Sequence, residues 1–130
     1  MYLQHVFATI DVFSKYTNTL GFFAANEVIN AANSTRAATV VKALIRDMRK
    51  YIGKHVNRPI PVGYSAADVA ENRREMAYFL NCGSDDTRSD FFAVSVSALN
   101  IEKTPKTVCS STTILGADPL ALSSLDGIRR

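Results

Sequence analysis

The sequence feature that most constrains the fold is the run at residues 20–25, LGFFAA, which carries no polar side chain. Such a run is too short for a stable helix and lacks the alternation of polar and apolar residues that marks a half-exposed strand. It is typical of a strand buried on both faces, as in a parallel sheet covered by helices. The run therefore predicts an α/β fold.

The polarity of the chain changes abruptly after this run, at Asn26 and Glu27. In parallel α/β folds, catalytic groups lie at the carboxyl ends of the strands. A carboxylate at this point would have an apolar strand behind it and a cleft in front. A structural alternative stays open, because Asn is a good helix N-cap and Glu is favoured in the first turn of a helix. The local pattern taken alone favours the cap.

Periodicity predicts an alternating order of helices and strands along the first 93 residues. Gly53 follows the last apolar residue of the second helix and is expected at its C′ position. Asp68 has the spacing of a cap for the third helix. The alternation predicts crossover connections and a parallel sheet. The predicted elements are a helix at 2–16, the strand at 20–25, a helix at 35–52, a strand at 59–64, a helix at 66–80 and a strand from Asp90.

Charge and motif content exclude several classes of function. The chain has 130 residues and a formal net charge of +3, which suits one soluble domain. Its basic cluster has no interleaved aromatic residue and no nucleic-acid motif, so we expect a solvated helix face and no nucleic-acid partner. We find no glycine-rich phosphate loop and no metal-ligand spacing, and therefore expect neither a cofactor nor a metal. The sequence also shows no signal peptide and no apolar run of about 18 residues.

The segment at residues 22–30 resembles the acid/base segment of the fungal β-1,3-glucanosyltransferases, the glucan-elongating cell-wall enzymes of glycoside hydrolase family 72. The resemblance runs from about Tyr2 to Ala93, and the family would have Gly where Ala25 stands. Further motifs resemble the same family in the same order, at residues 11–20, 41–48, 60–69, 81–83 and 89–92.

The resemblance implies an incomplete (β/α)8 TIM barrel. A complete barrel needs about 250 residues, so residues 1–93 would be a central slice, about strands four to six. Residues 94–130 are expected to be a poorly ordered tail outside the family. Family members are GPI-anchored at the cell surface, whereas this chain carries no anchor signal. We expect a fragment, active only when complete; the alternatives are a non-catalytic glucan-binding remnant or the inactive product of a decayed or mis-spliced gene.

The resemblance also implies retaining chemistry on β-1,3-glucan donor and acceptor chains. It assigns Glu27 as the acid/base and Asn26 as the hydrogen-bond partner of the sugar 2-hydroxyl. The family nucleophile is another Glu, which has no counterpart in this chain. Asp68 as a helix cap and Asp90 at the start of its strand are not expected to replace it. Tyr64 ends its predicted strand on the side of Glu27; it could line a sugar subsite by stacking, and a core tyrosine is the alternative.

Two further expectations concern covalent modification. Cys82 resembles a family cysteine whose disulfide partner is absent, so a free thiol is expected. No bridge to Cys109, in the tail, is predicted. Asn33 begins an N-glycosylation sequon, which has meaning only in a secreted chain.

Overall fold

The computed structural model describes residues 2–95 and 113–115. Four strands within these residues form one sheet in the order of the chain, and all neighbouring strands are parallel. The expected α/β class with a parallel sheet is confirmed. In chain order the elements are α1 (Tyr2–Phe13), β1 (Phe22–Asn26), a 3-10 turn (Ala32–Ser34), α2 (Ala37–His55), β2 (Val62–Ala67), α3 (Ala70–Asn81), β3 (Phe91–Ser95) and β4 (Thr113–Leu115).

The main core lies between the sheet and its helices. Every second residue of β2, namely Val62, Tyr64 and Ala66, is buried on this side. Because successive side chains of a strand point to opposite faces, these three share one face of the sheet. Apolar residues at three- and four-residue steps along α2 bury the matching helix face. The members of this core from α2 and β3 are Ala38, Val41, Leu44, Ile45, Met48, Ile52, Phe92 and Val94.

The prediction that the first strand is buried on both faces is wrong. The side chain of Phe23 is 52% exposed and that of Leu20 is 86% exposed. Phe23 lies on the side of the sheet that carries Gly63 and Phe91, and its ring meets the Phe91 ring edge-on at a centroid distance of 5.2 Å. We call this side the open face. Nothing in the described part of the chain covers Phe23 there, which explains its exposure.

Three predicted element ends are also wrong. Helix α1 ends at Phe13 rather than at residue 16. Helix α2 continues through Gly53 to His55, whose ring stacks on Tyr51 at 4.3 Å, and it ends at the C-cap Val56. Strand β2 runs through Ala67, beyond its predicted end, so α3 starts only at Ala70.

The predicted cap role of Asp68 is also wrong, because β2 continues to Ala67 and α3 starts only at Ala70. The N-cap position of α3 is occupied by Val69, with no side-chain capping hydrogen bond. Asp68 instead forms an ion pair with Arg73.

The segment after Ala93 contributes to the sheet. Strand β3 extends to Ser95, and β4 pairs with it in register, with Phe91 opposite Thr113 and Ala93 opposite Leu115. Residues 113–115 of the expected tail thus form a strand of the sheet. The remainder of the tail, residues 96–112 and 116–130, lies outside the described residues. No helix within the described ranges combines the length and the apolar character needed to cross a membrane.

Candidate active site

A β-bulge in β1 sets the direction of the side chains that follow it. Phe23 is opposite Gly63 and Asn26 is opposite Ser65, so β1 has one more residue than β2 between these pairs. Ala24 and Ala25 both pack toward the helix-side core. Asn26 therefore lies on the open face with Phe23, where its side chain is exposed. If the same residues paired regularly with β2, without a bulge, the alternation of the strand would direct Asn26 toward the helices.

The backbone of the bulge is compatible with Ala25, where the family pattern has Gly. Among the described residues, Glu27 is the only non-glycine with a positive φ. Ala25 therefore has no left-handed backbone conformation, which is where a Cβ atom is unfavourable. Alanine fits at this position of the bulge.

Glu27 has a left-handed backbone, with φ of 50°. This conformation costs a non-glycine residue about 1–3 kcal/mol and persists only where its surroundings fix it. The Glu27 N–H donates to the Ser65 carbonyl oxygen at 2.8 Å, which extends the pairing with β2 by one residue. Its side chain is partly exposed at the carboxyl edge of the sheet. Glu27 therefore stands where a strand-end catalytic carboxylate is expected.

The alternative role of Asn26 and Glu27 as a helix cap is wrong. The next helical turn after them spans Ala32–Ser34, and α2 has Arg36 at its N-cap position. Four residues lie between Glu27 and the first of these turns. Neither side chain can therefore satisfy the free N–H groups at the start of a helix.

Tyr64 is a core residue, which is the alternative that the sequence left open. Its side chain is fully buried and its ring packs obliquely on Phe92 at 5.9 Å. Stacking on a sugar requires an exposed ring face, so the structure contradicts the assignment of Tyr64 to a sugar subsite. The Tyr64 hydroxyl accepts a hydrogen bond from the Ile29 N–H at 3.0 Å. Tyr64 thus contacts the segment that carries Glu27 from the helix side of the sheet.

Burial is the main reason that the pKa of Tyr64 is raised from its ordinary value of 10.0. The N–H groups of Ile29 and Val28 oppose that shift, while the negative charge of Glu27 adds to it. The Tyr64 phenol therefore stays neutral at every pH below its ordinary pKa of 10.0. It also interacts electrostatically with the Glu27 carboxylate.

A second set of polar contacts joins the loops that follow β1 and β2. Arg73 is buried and pairs with Asp68 directly after β2. The Asn72 side-chain amide donates to the Ala31 carbonyl oxygen at 3.3 Å. The sequence analysis missed these residues. The signal was the Asn-Arg pair in the first turns of α3, since Arg is seldom buried without a partner.

Of the acidic residues weighed from the sequence, Glu27 is the one that remains available at the carboxyl edge. Asp90 precedes β3 at the amino edge, as predicted, where it accepts hydrogen bonds from the Val62 N–H and from Arg49. Asp68 is occupied by Arg73. Among the described residues, no ion pair involves Glu27, and no cluster of His, Cys, Asp or Glu side chains could hold a metal ion.

Cys82 is disulfide-bonded, so the predicted free thiol is wrong. Cys82 occupies the C-cap position of α3, and its partner lies outside the described residues, as does Cys109. The prediction failed because it rested on the absence of a partner at the family position and excluded a partner in the tail. Asn33 is exposed in the 3-10 turn after β1.

These observations define an α/β protein with a parallel sheet and a glutamate site at the carboxyl edge of that sheet. The sequence profile of the glucanosyltransferases, glycoside hydrolase family 72, matches residues 1–103. The chain belongs to this family. The profile match extends beyond the boundary at Ala93 that the motifs indicated.

Named relatives and solved structures agree with this membership. The chain is 60% identical over 93 residues to the 1,3-β-glucanosyltransferase gel1 of Aspergillus fumigatus, covering 72% of this chain and 21% of that protein. It is 59% identical over 95 residues to the 1,3-β-glucanosyltransferase GAS5 of Saccharomyces cerevisiae, covering 72% and 20%. The structure of Saccharomyces cerevisiae Gas2p in complex with laminaripentaose matches with a TM-score of 0.64 and 42% identity, over 71% of this chain and 22% of that one. The chain thus spans about one fifth of the length of these relatives.

Proposed function

We propose that this chain is part of the catalytic domain of a 1,3-β-glucanosyltransferase, in which Glu27 is the general acid/base. The observation that carries the proposal is the bulged end of β1, which places Asn26 on the open face and holds Glu27 in a left-handed conformation at the carboxyl edge. Strained residues cluster at functional sites. The names of the relatives support β-1,3-glucan as both donor and acceptor.

The proposed reaction is a retaining transfer between glucan chains. In the first step the Glu27 carboxyl group protonates the oxygen of the scissile glycosidic bond, while a second carboxylate attacks the sugar and forms a glycosyl-enzyme. In the second step Glu27, now ionised, removes the proton from the hydroxyl of an incoming glucan chain. The two carboxyl groups of a retaining enzyme lie about 5 Å apart. The nucleophile is a residue outside this chain.

The exposed amide of Asn26 has the role of binding the sugar beside Glu27. It lies on the open face, where a glucan chain would approach the end of β1. A hydrogen bond from such an amide to the sugar 2-hydroxyl strengthens in the transition state of glycoside hydrolysis. Asn26 would therefore contribute to kcat more than to ground-state binding.

The proposed architecture is a slice of a (β/α)8 barrel, about strands four to six. The parallel sheet, with its strand–helix–strand units, supports this placement. The open face of Phe23, Gly63 and Phe91 would then be the interior of the barrel, and the helix-side core would be its outer layer. In the intact protein we place the domain at the fungal cell surface, carried by a GPI anchor and glycosylated at Asn33.

A chimera tests this function. Residues 2–93 would replace the aligned segment of Aspergillus fumigatus gel1, which shares 60% identity over 93 residues; we call this protein the family chimera. Glu27→Gln should lower transfer between laminari-oligosaccharides by about two to four decades, because Gln neither gives nor takes a proton. Binding of laminaripentaose, measured by calorimetry with the same variant, should stay close to normal.

The matched control is Glu75→Gln, which removes the same charge from an exposed position of α3. This variant should transfer glucan at the rate of the unmutated chimera. A donor with an activated leaving group sharpens the comparison, since it departs without protonation. The Glu27→Gln chimera should still form the glycosyl-enzyme from it and then stall. Undiminished transfer by that variant, or binding without turnover by a folded unmutated chimera, would refute the proposal.

A further inference from the structure

We infer that Tyr64 is a positioning residue for Glu27: its hydroxyl holds the backbone beyond Glu27 and so keeps the carboxylate at the carboxyl edge of the sheet. The inference rests on the proposed function of Glu27. It gives Tyr64 a role in the reaction without contact with the sugar.

The hydroxyl of Tyr64 is a polar atom inside the helix-side core. The side chain is fully buried, among apolar residues that include Phe92. Buried polar groups require hydrogen-bond partners, and here the partner is the Ile29 N–H at 3.0 Å. Ile29 itself is 2% exposed. Loss of the hydroxyl would leave a buried backbone N–H without this acceptor, which is unfavourable enough to shift the segment.

Two consecutive residues of β2, Tyr64 and Ser65, form hydrogen bonds with the chain at Glu27 and just after it. The Ser65 carbonyl oxygen accepts from the Glu27 N–H at 2.8 Å. The Tyr64 hydroxyl accepts from the N–H of Ile29, two residues further along the chain. The left-handed Glu27 lies between these two anchors. Because that conformation is strained, it depends on the anchors, and release of the second would let the backbone relax toward commoner angles.

Electrostatics also connects the two side chains. Burial raises the pKa of Tyr64, and the Glu27 carboxylate raises it further. Because the shift is upward, the hydroxyl that accepts the Ile29 N–H stays neutral.

The test is Tyr64→Phe in the family chimera, a change that removes only the hydroxyl oxygen. We expect kcat for transfer between laminari-oligosaccharides to fall about ten- to a hundredfold with an unchanged KM, since small misplacements of a catalytic group have effects of that size. The rate of glycosyl-enzyme formation from the activated donor should change less than about twofold, because that step needs no proton from Glu27.

Tyr51→Phe is the matched control. It removes the same atom from a tyrosine whose hydroxyl contacts Asp11 at the packing of α1 on α2, away from the site. That variant should retain the kinetics of the unmutated chimera with both donors. As a second variant, 2,3-difluorotyrosine at position 64 keeps the shape of the side chain and weakens its oxygen as an acceptor. It should give a smaller loss with the same dependence on the donor.

The outcomes separate this inference from the proposed function. If Glu27→Gln abolishes transfer and Tyr64→Phe leaves kcat unchanged, the positioning role alone is refuted. An equal loss with both donors after Tyr64→Phe also refutes it, because general misfolding does not discriminate between leaving groups. If Glu27→Gln retains transfer, the proposed function fails, whatever Tyr64→Phe does.

Discussion

The Lys42 ammonium nitrogen lies 2.7 Å from the carbonyl oxygen of Cys82, and it also donates to the carbonyl oxygen of Phe79. Lys42 belongs to α2, whereas both carbonyls belong to the last turn and the C-cap of α3. A cation suits this helix end, because the last carbonyls of a helix carry partial negative charge. Lys42 thereby fixes α3 against α2, on the helix side of the sheet.

Replacement of Lys42 by Met should therefore destabilise the fold. We expect the free energy of unfolding of the family chimera to fall by about 1–2 kcal/mol, as two charge-assisted hydrogen bonds are lost from a partly exposed position. Urea unfolding followed by circular dichroism measures this change. Lys50→Met, at an exposed site of the same helix, is the control and should change stability by less than about 0.5 kcal/mol. Equal effects of the two variants would contradict the prediction.

The two glycines at positions 53 and 63 should respond to alanine in opposite directions. A Cβ atom at Gly63 would lie 2.5 Å from the Phe91 ring and from the Phe91 carbonyl oxygen, whereas one at Gly53 meets nothing within 4 Å. Gly63→Ala should cost about 1–3 kcal/mol through overpacking. Gly53→Ala, inside α2, should stabilise by about 0.5–1 kcal/mol. Thermal melts of both variants measure these changes in stability. A loss of stability in Gly53→Ala would contradict the prediction and would indicate a left-handed helix end at Gly53.

Alkaline pH should destabilise the fold through Tyr64. Its folded-state pKa is raised above the ordinary value of 10.0, chiefly by burial. The stabilising contribution is therefore complete below pH 10 and is lost as the pH rises from there through the folded-state pKa. Within that window the free energy of unfolding should fall by up to about 1.4 kcal/mol per pH unit.

Tyr64→Phe tests the origin of this dependence. In urea titrations between pH 9 and about pH 12, the variant should show a shallower decline than the unmutated chimera. An identical decline in both proteins would mean that another group is responsible. Tyr51→Phe is the comparison variant here as well. A hydrogen bond to Asp11 raises the pKa of Tyr51 at the protein surface, so this variant shows how much a surface tyrosine contributes to the decline.

The 130-residue chain on its own should self-associate. Within the described residues β1 pairs with β2 alone, and the exposed apolar side chains of Leu20 and Phe23 lie at this edge of the sheet. Unpaired strand edges with apolar side chains recruit further strands. Light scattering after gel filtration should detect oligomers, and Phe23→Lys should reduce them. A monomer with a cooperative melt would contradict this expectation.

Local patterns predicted the order of the elements, because apolar periodicity acts within each helix and strand. The predicted bounds of helices and strands differ from the observed ones where a local signal was misinterpreted. Pro59 and Pro61 carry no N–H group for the ladder, so β2 starts at Val62 rather than at Pro59, where the predicted strand began. Gly53 resembled a helix end, but the stacking of His55 on Tyr51 continues α2 beyond it.

The site was predictable only in part, for a physical reason. The position of Glu27 at a strand end follows from the neighbouring sequence. The left-handed backbone of Glu27, its hydrogen bond to Ser65 and the hydrogen bond of Ile29 to Tyr64 depend on how β1 registers against a strand about 40 residues away. Register between strands is set by the whole sheet, so a local pattern cannot reveal it. The same limit explains why Tyr64 could be either a sugar contact or a core residue.

The bulge in β1 makes the spacing of residues more critical than their identity in this segment. Removal of Ala25 would restore regular pairing with β2 and would keep Asn26 opposite Ser65 on the open face. It would, however, remove the bend and the added twist that a bulge gives to its strand. The residues that follow, Glu27 among them, would then leave the sheet in another direction, although every side chain that acts at the site would still be present.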